Sequence, residues 1–104
     1  MDKLKIIQPV SHNARMELKV WEVKRSAQYP QGIKFTFTLI YKGQSVLRYD
    51  NADGKGNHKH IIDAQTCQET QQYLGEQDPF TLIPLFKKEM TEVLQQYEYQ
   101  EDDI

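Results

Sequence analysis

Residues Arg48–His60, RYDNADGKGNHKH, gather most of the side chains in this chain that could do chemistry. Two of the three histidines lie here, with Arg48, Lys55, Lys59, two aspartates, two asparagines and two glycines. If His58 and His60 sit on a strand, their side chains leave the same side, with Cα atoms about 6.5–7 Å apart at about 3.3 Å rise per residue. On the preceding strand Arg48 and Asp50 share one face, and Tyr49 and Asn51 the other. Glycine in the intervening loop lets it turn sharply enough to bring the two strands together.

Three kinds of chemistry fit those residue types. Metal-independent RNA cleavage needs a base for the 2′-OH, an acid for the departing 5′-oxygen and a cation on the phosphorane. Histidine serves both proton roles because its ordinary pKa is near neutrality. Arg48, Lys55 or Lys59 would hold the phosphate. Alternatively, His58, His60 and Asp50 could bind a divalent metal, as His-x-His pairs do in many metal sites. The third reading is a solvated, turn-rich hairpin that displays polar groups without reacting. Spacing alone leaves all three open.

Other chemically tempting residues are isolated. His12 lies in the polar turn SHNAR, and Cys67 has no basic cluster or helix N-terminus assignable beside it. Trp21 could stack on a base, but a single strand tryptophan more often serves packing or an interface.

The elements that must position this segment follow from periodicity. Residues 3–10 read as a short strand closed by Pro9, suited to a sheet edge. In 15–24, Met16, Leu18 and Val20 alternate with Glu17, Lys19 and Trp21, which predicts a second strand with one face on a core. Residues 33–41, IKFTFTLIY, alternate most clearly, and a tight turn at 42–44 leads into 45–51 as a hairpin. Residues 51–57 form a loop, and 58–63 resume a strand. The polar, Gln-rich residues 64–78 show no period and are expected to be an irregular connection. From the Asp78-Pro79 break onward, Leu82, Leu85, Phe86, Met90, Val93, Leu94 and Tyr97 recur at helical spacing. A helix over about 82–98 is expected, with Thr81 as N-cap and Pro84 in the first turn. The architecture predicted is α+β: a four- or five-stranded antiparallel sheet, covered on one face by a long C-terminal helix and wet on the other.

Bulk properties narrow the functional classes. At 104 residues the chain is expected to be a single domain, and 38% hydrophobic residues with six Tyr, four Phe and one Trp suit a packed core. One cysteine cannot make an internal disulfide. MDKLKIIQPV lacks a signal-peptide apolar core and no run nears a membrane span, so the expectation is a cytoplasmic protein without membrane contact. The net charge is −2, whereas proteins that coat nucleic acid are usually basic, so any basic surface must be local.

The run Leu47-Arg48-Tyr49-Asp50-Asn51 followed by Gly54-Lys55-Gly56-Asn57-His58-Lys59-His60 resembles the R-Y-D-N-x-x-G-K-G-x-H-x-H signature of the TumE family, toxins of bacterial toxin–antitoxin pairs. The Leu18-Val20-Trp21-x-Val23 strand, the Tyr41 strand and Phe80 before the C-terminal helix are similar to that family too. Residues 63–78 depart from it, being longer and richer in glutamine than the usual link. The resemblance implies a toxin restrained by a helix-turn-helix antitoxin and, by analogy with other small toxins, action on RNA or translation. In that reading His58 and His60 transfer protons, Asp50 orients a histidine, and Arg48, Tyr49, Asn51, Lys55 and Lys59 contact substrate. No cofactor is implied, with a divalent metal the alternative in a hydrolase; a non-enzymatic binding module is the other alternative. An exposed edge strand would permit a homodimer.

Overall fold

The structure, a computed structural model, describes residues 2–52 and 56–102, the side chains of residues 101 and 102 excepted. Six strands are followed by one helix: β1 Asp2–Ser11, β2 Ala14–Glu22, β3 Ile33–Tyr41, β4 Gln44–Asp50, β5 Asn57–Ile62, β6 Glu69–Gly75 and α1 Pro79–Asp102. The strands lie side by side in chain order, each antiparallel to the next. The α+β class, with the helix on one face of an antiparallel sheet, is as the periodicity predicts.

The alternation in β2 and β3 explains the layer. Met16, Leu18 and Val20 stand opposite Leu39, Phe37 and Phe35, and all six are buried. Leu47 and Tyr49 of β4 continue the same face beside Leu39 and Phe37. Across it lies α1, whose Leu82, Phe86, Met90 and Val93 recur every three or four residues and are buried. Phe86 reaches the sheet rings, 5.1 Å from Tyr49 in an edge-on contact and 5.7 Å from Phe37. Tyr97 anchors the far end of the helix, donating its hydroxyl to the Ile62 carbonyl and packing 5.2 Å from Tyr41. The β3–β4 turn has positive φ at both Lys42 and Gly43, as a two-residue hairpin with right-twisted strands requires.

Two expectations are corrected. The connection at 64–78 contains β6, so the sheet has six strands rather than four or five. Its first five residues are exposed and it is held through pairing with β5, leaving no apolar period to read. The helix is longer than 82–98 and is capped by Asp78 rather than Thr81: the Asp78 Oδ1 accepts the Phe80 N–H at 2.8 Å. Pro79 is then the first helical residue, and Pro84 lies beyond the first turn, where it offers the Phe80 carbonyl no N–H. Among the described residues no helix is long and apolar enough to cross a membrane.

Candidate functional site on the open sheet face

Strand alternation sends Arg48 and Asp50 to the face that α1 does not cover, because Leu47 and Tyr49 are committed to the core. The β4–β5 register then pairs Arg48 with His60 and Asp50 with His58. The four side chains occupy the corners of a square on the open face. Along β4, Arg48 donates its Nε–H to Asp50 Oδ2 at 2.7 Å. On the diagonal, His60 Nε2 lies 3.5 Å from the same oxygen. Asp50 Oδ1 accepts the Ala52 N–H at 3.2 Å. Asp50 is only 7% exposed, so the neighbouring guanidinium supplies the countercharge that a buried carboxylate needs. Arg48 spends one of its five N–H donors on this contact, and the side chain remains 39% exposed.

The two histidines have different surroundings. His58 Nδ1 lies 3.0 Å from the Gly56 carbonyl, which can only accept, so Nδ1 carries the hydrogen in this contact. In the neutral ring Nε2 is then the nitrogen with a lone pair. Its ring sits 5.5 Å from that of Tyr73, its partner on β6. His60 is enclosed between carboxylates: Glu69 Oε1 is 3.9 Å from its Nδ1, which is buried without a hydrogen bond. Gly56 has a φ of +73°, and a methyl group there would come within 3.0 Å of both Glu76 and Tyr73. Glycine is required both to reverse the chain and to let Tyr73 approach His58. A cleft of about 330 Å³ opens beside this end of the sheet, with Asn57, Tyr73, Glu76 and Gln77 in its wall.

Tyr49, Asn51, Asn57 and Lys59 are elsewhere. Tyr49 and Lys59 point to the helix face, where both meet Glu89: Tyr49 donates its hydroxyl to Oε1, and Lys59 Nζ is 2.7 Å from Oε2. Burial, first, and then the hydrogen bond to Glu89 push the Tyr49 hydroxyl pKa far above the ordinary phenol range. Asn51 bonds across to β3, accepting from the Phe35 N–H at 3.0 Å and donating to the Ile33 carbonyl at 2.8 Å. Asn57 likewise donates to the Gln77 carbonyl at 2.8 Å. Lys55 lies outside the described residues.

For metal chemistry the geometry is less favourable. Among the described residues no group of three or more His, Cys, Asp or Glu side chains is arranged to hold an ion. Asp50 and His60 face each other, but His58 turns its Nδ1 to the main chain. Sequence reasoning missed Tyr73 and Glu69, which join the square from β6, and Glu89, which joins from α1. No local signal marks the first two, because the strand carrying them has no apolar period.

No curated protein and no solved structure matched the chain in comparisons with known proteins. The family model described as Toxin TumE matches residues 4–97, a span that contains the whole sheet from Leu4 onward, the square and α1 as far as Tyr97. The chain therefore belongs to the TumE toxin family, as a toxin of a toxin–antitoxin pair.

Proposed function

We propose that the chain is an RNA-acting toxin whose proton-transfer groups are His58 and His60. The observation that supports this most is the square itself: two histidines, a carboxylate and a guanidinium share one uncovered face, with Asp50 touching Arg48 and facing His60. His58, with Nε2 as the lone-pair nitrogen, takes the 2′-OH proton. His60, which faces Asp50 and Glu69, gives a proton to the 5′-oxygen. Asp50 orients His60. Arg48 meets the phosphate through its remaining donors, with Lys55, which follows β4 in the sequence, as a second cation. Tyr49, Asn51 and Lys59 support the site from structural positions. Such a protein would act in the cytoplasm, restrained by an antitoxin of the helix-turn-helix type.

The test is growth after induced expression of the wild-type chain beside His58→Ala/His60→Ala, with total RNA examined from both and folding checked by circular dichroism. The expected outcome is arrest with RNA fragmentation in the wild type and neither in the variant, since one lost proton-transfer group costs about 10²–10⁴ in rate. Equal toxicity of a folded double variant would refute the assignment. The alternative is a non-enzymatic binding module. What supports it is the pair of free sheet edges, where β1 exposes Ile7 at 54%; such edges would suit a partner or a homodimer by sheet extension. Purified chain that binds its antitoxin, arrests growth and leaves RNA intact would favour it.

A further inference from the structure

The open face extends well beyond the histidine square. One row of paired residues runs Lys5, Lys19, Thr36, Asp50, His58 and Tyr73 from β1 to β6. Beyond Lys19, Trp21 stands opposite Lys34. Lys34 Nζ lies 5.6 Å from the Trp21 ring centre, and a hollow of about 100 Å³ is lined by Asp2, Leu4, Lys5, Lys19 and Trp21. Lys34 thus lies over the ring of the sole tryptophan of the chain, and Lys5 and Lys19 share a hollow with it.

Charge is unevenly distributed along the chain. Residues 79–104 carry six carboxylates and two lysines, a balance of −4; the whole chain is −2, so residues 1–78 hold an excess of two cations. Within this corner Lys19 is 3.1 Å from Glu17, which also holds Arg15 at 2.9 Å. Lys5 and Lys34 have no carboxylate partner among the described residues. These are the cations free to meet a phosphate.

We propose that Trp21, with Lys5, Lys19 and Lys34, is a stacking and phosphate-binding subsite for single-stranded RNA, so that a bound strand crosses the sheet from the His58 corner to Trp21. This rests on the reading of the chain as RNA-acting. Three strand spacings of about 4.8 Å and two residues along β2 put Trp21 roughly 16 Å from His58. That span suits a few nucleotides, at the short end of the footprints of about 4–16 nucleotides covered by β-platforms that bind single strands. An exposed contact between lysine and tryptophan is weaker than the stacking of a base on an aromatic ring. A base can therefore displace Lys34 from the ring, and the released ammonium meets the backbone. A duplex offers no free base face and gains nothing from the ring.

The experiment uses His58→Ala/His60→Ala chain, so that RNA stays intact, and a short fluorescent oligouridylate titrated by anisotropy. Trp21→Ala should weaken binding roughly 5- to 100-fold. Lys5→Glu/Lys34→Glu should lower the slope of log affinity against log salt by about 1–2. In the Trp21-containing chain, indole fluorescence should be quenched on binding, and a duplex of equal length should bind more weakly. RNA binding that is unchanged by Trp21→Ala, with unquenched fluorescence, overturns the subsite and leaves the RNA-acting reading standing. Absence of any RNA binding overturns both.

Discussion

Replacement of Tyr49 by Phe removes one oxygen from the interior and leaves the ring packing against Phe86 in place. Tyr49 is fully buried, and its hydroxyl donates to Glu89, a charged acceptor. A hydrogen bond to a charged group contributes about 1.5–3 kcal/mol. Glu89 keeps Lys59 at 2.7 Å after the substitution, so the cost belongs at the low end, about 1.5 kcal/mol at pH 8. The alkaline side gives a sharper consequence. The folded-state pKa of Tyr49 is raised, by burial first and the Glu89 hydrogen bond second. A raised value means that the stabilisation is fully present below the unfolded pKa, about 10, and is lost as pH rises above it. At about 1.4 kcal/mol per pH unit, roughly 2 kcal/mol is gone by pH 11.5, because the unfolded chain ionises Tyr49 and the folded chain does not. The phenylalanine variant has no such group. Urea unfolding followed by far-ultraviolet circular dichroism at pH 8 and pH 11.5 should show the wild type ahead at pH 8 and the difference closed or reversed at pH 11.5. The other tyrosines, and the lysines apart from Lys59, affect both chains alike, and Lys59→Met in both backgrounds removes the remaining difference. A gap that stays constant between the two pH values would refute this account of the Tyr49–Glu89–Lys59 cluster.

Two other substitutions examine the frame around the site. Asn51→Ala strands the Phe35 N–H and the Ile33 carbonyl, and should cost about 2–3 kcal/mol, lowering the thermal midpoint by roughly 10 °C or more; an unchanged midpoint would refute the bridging role. Pro84→Ala restores an N–H to the helix at an exposed position and should stabilise by about 1–3 kcal/mol in urea unfolding; an unchanged midpoint would mean that the helix already accommodates the proline without strain.

Much of this was legible from side-chain period. Residues 33–41 alternate because one face meets α1, and Leu82, Phe86, Met90 and Val93 recur at helical spacing because one stripe meets the sheet. What was not legible lacks that cause. β6 has two largely wet faces, and its place is set by main-chain pairing with β5, which leaves no trace in residue types. The helix start is a different case. Asp78-Pro79 can be read as a break or as an N-cap followed by proline at the first helical position, and Thr81 competes as a cap. Thr81 in fact donates its hydroxyl to the Asp78 carbonyl, while the Asp78 side chain takes the Phe80 N–H. Alternation put Arg48 with Asp50, and His58 with His60, on one side of each strand, but that the two pairs share a face is set by the β4–β5 register. The enclosure of His60 by Glu69, and of Lys59 by Glu89, required knowing which strand and which helical turn lie opposite.

The signature divides by parity. Along 48–51 and 58–60, the even-numbered Arg48, Asp50, His58 and His60 stand on the open face, and the odd-numbered Tyr49, Asn51 and Lys59 bond to the helix or to β3. A two-residue side-chain period makes this separation unavoidable once Leu47 is in the core. These seven side chains therefore do not share one face of the sheet. The odd-numbered residues fix the frame of the open face: Asn51 ties the end of β4 to β3, and Glu89 holds Tyr49 and Lys59 so that β4 and β5 stay in the register that sets Asp50 opposite His58. A one-residue slip of β5 would put Lys59 on the open face and bury both histidines against α1. Lys59 and Glu89 act against that slip, because an ammonium turned to the helix face finds its carboxylate only in the observed register. If the proposed assignment holds, loss of toxicity on changing an odd-numbered residue reports on the alignment of the two strands, whereas loss on changing His58 reports on proton transfer at their surface.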